Sequence, residues 1–156
     1  MRRATVLLVG GILMAVMVGV QGAAAHDARI SRTATVQFQD LPGATGDRVF
    51  GQLSIGQKSQ SSFPALAARC LAGQRVVIKH TLTAPGGGSA PPQVLGTATT
   101  DAQGAWEFSG YEANGLSVGK FDTFQIQVMK HPIGKKSHRH HHICLGANGF
   151  VTVLSS

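Results

Sequence analysis

The sequence is poor in cysteine, aromatic residues and charge. Only two of its 156 residues are cysteines, 6% are aromatic and 13% are charged. Cys70 and Cys144 form no CxxC pair, which argues against cysteine-based redox or zinc chemistry. A nucleophile elbow, an HExxH helix and a P-loop are absent as well. The sequence therefore offers no familiar catalytic motif.

Acidic residues are also few and scattered, with seven Asp and Glu against fourteen Lys and Arg. Asp101 is explained by a predicted turn, and Glu107 should alternate outward from Trp106. We interpret His80, which lies in a predicted strand, as a structural side chain rather than a general base. These residues predict that the protein is not an enzyme, with a small hydrolase of unrecognised site as the weaker alternative.

Long hydrophobic runs are lacking beyond the N-terminus. Arg2 and Arg3 precede an apolar stretch over 6–20, and small residues follow at 23–25. This order predicts a secretory signal peptide over 1–25, cleaved after Ala25. A transmembrane anchor is the alternative, but it needs about 20 apolar residues and this stretch contains interrupting glycines. We expect a secreted or cell-envelope protein without a transmembrane anchor after cleavage.

The basic residues do not form the pattern of a nucleic-acid-binding surface. The formal charge of +7 falls to +5 once Arg2 and Arg3 are removed with the leader. Such surfaces interleave aromatic and basic residues, whereas Lys135, Lys136 and Arg139 lie beside histidines. We interpret this cluster as a solvated basic loop and expect no nucleic-acid partner.

Export also determines how the cysteines are interpreted. In an oxidising compartment, Cys70 and Cys144 are expected to form a disulfide, and two buried thiols are the alternative. They are 74 positions apart. A loop of that length would stabilise the fold by about 4 kcal/mol in the chain-entropy model.

Alternating apolar and polar residues predict an all-β fold after a flexible lead over 26–33. The one expected helical turn is 64–71, bounded by Pro64 and Gly73, and 57–62 is expected to be a loop. Seven strands with frequent turns favour a single antiparallel, Ig-like β-sandwich over 34–156. The predicted strands are 34–39, 49–55, 75–83, 93–100, 105–109, 124–129 and 150–154.

The sharpest local signal is the turn over 101–104. Asp101 can hydrogen-bond the turning backbone, and Gly104 accepts a left-handed conformation. We therefore predict that the flanking strands form a hairpin and that Trp106 and Phe108 share one face.

Two segments carry a family resemblance: 70–78 (CLAGQRVVI) and 96–108 (GTATTDAQGAWEF). They resemble the prealbumin-like, carboxypeptidase-regulatory-like sandwich modules, as in small exported actinobacterial proteins of unassigned function. The resemblance covers about 49–153 and implies a prealbumin-like sandwich but no chemistry. Transthyretin-like hydrolases end in a tyrosine-arginine-glycine-serine signature, whereas this chain ends VTVLSS, so no catalytic residue is carried over.

A histidine tract near the C-terminus is the one unusual feature of the composition whose side chains could carry chemistry. In an extended strand, His138, His140 and His142 would project from one face, and imidazole is a good ligand for zinc, copper or nickel. Nearby lysine and arginine oppose cation binding. We leave open a solvated loop, a divalent transition-metal site and a pH-responsive contact.

Cleavage after Ala25 would make His26 the first residue of the mature chain. Its amine and imidazole could then chelate copper together, with a further histidine from the folded body. The sequence does not determine which histidine that would be, and coincidence is the simpler interpretation.

Together these features predict an exported, non-enzymatic β-sandwich that binds a protein, an envelope polymer or a glycan. A metal-binding protein that uses His138, His140 and His142 is the alternative function.

Overall fold

The protein is described by a computed structural model over residues 26–40, 47–84, 86–109, 118–133 and 140–154. The predicted signal peptide over 1–25 lies outside these ranges. The described residues form β1 (His26–Ile30), β2 (Arg32–Ala34), β3 (Gln37–Gln39), β4 (Arg48–Ile55), α1 (Gln57–Ser62), α2 (Pro64–Leu71), β5 (Arg75–Thr81), β6 (Gln93–Thr99), β7 (Ala105–Ser109), β8 (Thr123–Val128), β9 (His131–Pro132), β10 (His140–Cys144) and β11 (Ala147–Thr152).

Two antiparallel sheets form the sandwich. The first has the strand order β11-β8-β5-β6. The second is built around β4, which pairs with β2 and β3 along one edge and with β7 along the other. This architecture confirms the predicted all-β sandwich closed by one disulfide.

The core lies between the two sheets. It forms because apolar side chains alternate with polar ones along the strands, so that one face of each sheet is buried. In β4, Val49 and Leu53 are buried, whereas Phe50 and Gln52 lie on the opposite face. Such period-two burial is the expected pattern of a strand with one solvated face. The buried residues of this cluster are Val49, Leu53, Val76, Ile78, Trp106, Phe124, Ile126, Val128, Ala147 and Val153.

The described residues contain eleven strands where the sequence predicts about seven. One reason is that the predicted strand over 34–39 is divided into β2 and β3. Between them the backbone N–H of Thr35 still donates to the carbonyl of Gln52 at 2.9 Å, so the chain stays on β4 across the interruption.

The predicted turn over 101–104 forms, but the predicted hairpin does not. Asp101 Oδ1 accepts hydrogen bonds from the backbone N–H groups of Gln103 and Ala105, and Gly104 has a φ of 87°. After the turn, however, β7 pairs with β4 while β6 pairs with β5. The turn therefore carries the chain from one sheet to the other, and Trp106 enters the core between them.

The predicted flexible lead over 26–33 is instead mostly strand. β1 runs parallel to β10, and β10 is antiparallel to β9, which makes a third sheet. Ala28 and Ile30 of β1 are 2% and 0% exposed. Burial of these two apolar residues stabilises the segment as a strand, and no local sequence pattern indicates this burial.

Helix α2 packs against this third sheet near the disulfide. α2 has the predicted bounds, with proline at its first turn, and it buries Ala67 and Cys70. Residues 57–62, predicted as a loop, form α1, which buries no residue. The Cys70–Cys144 disulfide joins α2 to β10 and confirms the predicted pair. No helix among the described residues is long and apolar enough to cross a bilayer.

Arg32 connects the same elements through its buried guanidinium. It is 6% exposed and donates to the carbonyl groups of Cys70, Met129 and Leu145 and to Oε1 of Gln74. Burial lowers the pKa of Arg32 from its ordinary value. Because a buried cation is tolerated only with such partners, the guanidinium ties β2 to the disulfide region.

Candidate functional site

A groove of about 600 Å³ lies along β4 and β7 and reaches the turn after β6. Its volume falls within the range of about 300–1,000 Å³ that is usual for small-ligand sites. The outward-facing positions of β4 and β7 and the start of the turn supply its polar groups. The lining residues are Thr35, Gln37, Phe50, Gly51, Gln52, Thr99, Thr100, Asp101, Ala105, Trp106 and Glu107.

The half-buried ring of Phe50 supplies the groove's outward-facing aromatic surface. Arg48 lies over this ring, with 4.8 Å between the guanidinium carbon and the ring centroid. Arg48 also donates to Gln39 Oε1 and forms an ion pair with Glu107 at 3.4 Å. The aromatic ring and the Glu107 carboxylate are thus held side by side through one arginine.

Local hydrogen bonds fix the polar groups at the other end. The side-chain amide of Gln52 donates to the carbonyl of Gln103, and its backbone N–H donates to Thr35 Oγ1 at 3.0 Å. Asp101 is held by the two N–H donors of its turn. Donors and acceptors that are fixed before binding lose less conformational entropy when a ligand arrives.

The electrostatic character of the groove differs from that of the whole chain. None of its lining residues is lysine or arginine, and two are acids, Asp101 and Glu107. The chain as a whole carries a formal charge of +7. Arg48, beside the groove, is paired with Glu107. The groove is therefore better suited to a neutral polar ligand than to a polyanion.

A buried His–Asp pair lies elsewhere, between β5 and the segment before β8. His80 Nε2 is 3.1 Å from Asp122 Oδ2, and both side chains are 2% exposed. Asp122 also accepts from the backbone N–H groups of Gly119 and Thr83, both at 2.8 Å. The His80 ring stacks on Phe124, with 4.8 Å between centroids. These contacts attach the segment to β5 and leave a substrate no access, which fits the structural interpretation of His80.

The predicted metal ligands are only partly described. His138 lies outside the described residues, and for His140 the structure gives the backbone, within β10. His142 is partly buried and already engages a neighbouring group. Among the side chains that the structure describes, no three His, Cys, Asp or Glu residues group as metal ligands.

Two stretches that the sequence analysis treats separately are neighbours in the fold. In the parallel β1–β10 pair, His26 lies opposite His140 and Ala28 lies opposite His142. No local signal could have shown this, because the pairing joins strands from opposite ends of the described chain. The groove was equally hidden, since β7 joins β4 rather than its neighbour in sequence.

Comparison with protein-family models, with curated proteins and with solved structures gives no match to this chain.

Proposed function

We propose that the protein is an exported, non-enzymatic binding module that holds a neutral glycan in the groove along β4 and β7. The carrying observation is the composition of that groove: amides, hydroxyls and carboxylates beside the ring of Phe50, with no lysine or arginine among the lining residues. The neighbouring cation, Arg48, is already paired with Glu107. Planar amides and carboxylates match the hydroxyl donors and acceptors of a sugar. An aromatic ring packs against the apolar face of a sugar ring. Arg48 lies over one face of Phe50, so a sugar would contact the edge or the other face of that ring.

Two further features support this proposal. The Cys70–Cys144 disulfide suits the oxidising environment that the predicted signal peptide implies. The His80–Asp122 pair, which in an exposed setting could serve acid–base chemistry, is buried, and its carboxylate already accepts from two backbone N–H groups. The pair therefore does not support a hydrolase, and the proposal assigns a binding role to the groove instead.

The proposal is tested by titrating the mature protein with soluble neutral oligosaccharides of gluco, manno and galacto configuration, followed by calorimetry and by amide shifts in NMR spectra. Removing the exposed amide in Gln37→Ala, or the charge in Glu107→Gln, is expected to raise Kd about tenfold, the cost of one good hydrogen bond. The amide shifts should map to β4 and β7.

Gln125→Ala is the matched control, because Gln125 is an exposed amide on β8, in the other sheet. It should leave Kd unchanged. Absence of binding to every neutral sugar, or equal weakening by Gln37→Ala and Gln125→Ala, would remove the groove as a glycan site. Binding of an acidic polymer at the groove would also contradict the proposal.

A further inference from the structure

The outer face of the β11-β8-β5-β6 sheet has a groove of its own, of about 370 Å³, which we call the β8 groove. Its volume lies within the range of about 300–1,000 Å³ that is usual for small-ligand sites. The core of the sandwich separates it from the groove along β4 and β7. The lining residues of the β8 groove are Lys79, Gln125, Ile126, Gln127, Asn148, Gly149 and Phe150.

The register of three strands places an aromatic ring and a cation on either side of an amide. Phe150 on β11 lies opposite Gln125 on β8, and Gln125 lies opposite Lys79 on β5. Because neighbouring strands are about 4.8 Å apart, Phe150 and Lys79 are about 10 Å apart across the sheet. A sugar ring that lies over Gln125 would therefore reach both of these side chains.

Both of these side chains are accessible from solvent. The ring of Phe150 is 74% exposed, the largest exposed fraction among the large hydrophobic residues that the structure describes. Lys79 is partly buried, and its Nζ donates to Oε1 of Gln127 at 3.2 Å. An ammonium group has three donors, so this hydrogen bond positions the cation without using all of them.

The charge of this face differs from that of the groove along β4 and β7. The four strands of the sheet, all within the described ranges, contain no Asp or Glu. Arg75 and Lys79 are neither of them buried, and both alternate with the buried residues of β5. The other groove, in contrast, is lined by Asp101 and Glu107. Complementary charge therefore favours an anionic ligand at the β8 groove.

The spacing of the two cations limits the charge density of that ligand. Arg75 and Lys79 are four positions apart on β5, which is about 13 Å along a strand. One strand of DNA has a phosphate about every 3.4 Å, so two cations at this spacing would leave most phosphates without a partner. A sugar chain has uncharged hydroxyl groups between its carboxylates, and it fits this spacing better.

We propose that the β8 groove binds an acidic oligosaccharide, a sugar chain that carries carboxylates. Lys79 donates a charge-assisted hydrogen bond to one carboxylate, and Arg75 binds a second one further along the chain. The ring of Phe150 packs against the apolar face of a sugar. The amides of Gln125 and Asn148 bind hydroxyl groups. This site is independent of the groove along β4 and β7.

The experiment compares two ligands that differ only in charge. The protein is expressed in an exporting host, so that the disulfide forms, and is titrated by calorimetry with a tetramer of galacturonic acid and with its methyl ester. NMR amide shifts for the acid should map to β5, β8 and β11. The ester should bind at least about tenfold more weakly, the loss expected when a hydrogen bond to a charged group is removed. Added salt should weaken binding of the acid, because these cations are not shielded from solvent.

Three variants separate the contributions of the side chains. Lys79→Met should raise the Kd of the acid about tenfold and leave that of the ester unchanged, because only the acid presents a carboxylate. Phe150→Ala should raise the Kd of the acid about two- to tenfold. Lys58→Met is the matched control, because Lys58 is an exposed lysine on α1, outside this sheet. Its Kd should equal that of wild type. Circular dichroism melts verify that each variant is folded.

Equal affinity for the acid and its ester would overturn the proposal. So would absence of binding, amide shifts that map to β4 and β7, or equal losses in Lys79→Met and Lys58→Met. Tighter binding of a single-stranded oligonucleotide or of anionic lipid vesicles at this face would also contradict it, because a phosphate would then be the preferred anion. Failure of neutral sugars to bind the groove along β4 and β7 would leave these outcomes unchanged.

Discussion

At the scale of single residues, the buried cation of Arg32 influences its surroundings. The guanidinium of Arg32 is satisfied by three backbone carbonyls and the amide oxygen of Gln74. His131, in β9, lies close enough to be affected. Burial first, and then the charge of Arg32, lower the pKa of His131, while a hydrogen bond with the backbone of Met129 acts in the opposite direction. The net effect favours the neutral imidazole in the folded protein.

This shift predicts that His131 destabilises the fold in mild acid. Above the ordinary histidine pKa of about 6.5, neither the folded nor the unfolded state carries the proton, so stability is unaffected. As the pH falls through that value, His131 binds a proton in the unfolded chain but stays neutral in the folded chain. The free energy of unfolding therefore decreases until the lowered pKa of the folded state is reached.

The measurement is urea denaturation of wild type and His131→Gln over a series of pH values. The other histidines contribute to both curves, so the difference between the curves isolates His131. Stability of His131→Gln should decrease less than that of wild type below the ordinary histidine pKa. Parallel curves would show that His131 titrates alike in both states.

At the scale of elements, the second sheet depends on close approach at Gly51. A Cβ at this position would collide with the carbonyl oxygen of Thr35 and lie 2.8 Å from Cζ2 of Trp106. Trp106 is 4% exposed and belongs to the core cluster. Because Gly51 has no side chain, the segment between β2 and β3 and the indole of Trp106 can both lie close to β4.

Gly51→Ala is expected to lower the free energy of unfolding by about 1–3 kcal/mol, the usual cost of overpacking. Chemical denaturation measures this change, and tryptophan fluorescence reports on the displaced indole. Gly88→Ala is the control, because nothing lies within 4 Å of a Cβ there. Equal effects of the two substitutions would show that backbone entropy, rather than the collision, is responsible.

Local sequence predicted many elements but not how they pair. The strands at β5, β6 and β8 and the helix over 64–71 follow from alternation, from Pro64 and from the glycine after the helix. The turn at 101–104 was equally clear, yet the expected hairpin was wrong. Turn chemistry constrains four residues, whereas the partner of β7 is chosen by burial of Trp106 between two sheets.

At the scale of the whole molecule, the disulfide connects α2 to β10 of the third sheet. Cys70 and Cys144 are both fully buried. Around them lies a second apolar cluster with Ile30 and Ile133, against which Ile55, Phe63 and Leu66 pack. The covalent link thus joins α2 to β10, and β1 packs into the same cluster through Ile30.

Replacing both cysteines in a Cys70→Ala, Cys144→Ala variant should lower the free energy of unfolding by about 4 kcal/mol, because the unfolded chain regains the freedom of a closed loop. The bridge spans 74 positions. Denaturation of this variant and of reduced wild type should agree. Hydrogen exchange should show larger losses of protection in β1 and β10 than in β5. Unchanged stability would mean that the apolar cluster alone holds the third sheet.

The sequence by itself determined the all-β class, the disulfide and the identity of most strands, because alternation and cysteine count are local or compositional properties. The leader over 1–25 stays a prediction. Tertiary structure decided what those properties could not. Residues 26–33 form strands because Ala28 and Ile30 find a buried surface, and β7 crosses to β4 because Trp106 fits between the sheets. The groove and the His26–His140 juxtaposition arise from contacts between distant segments, and no pattern along the chain records such contacts.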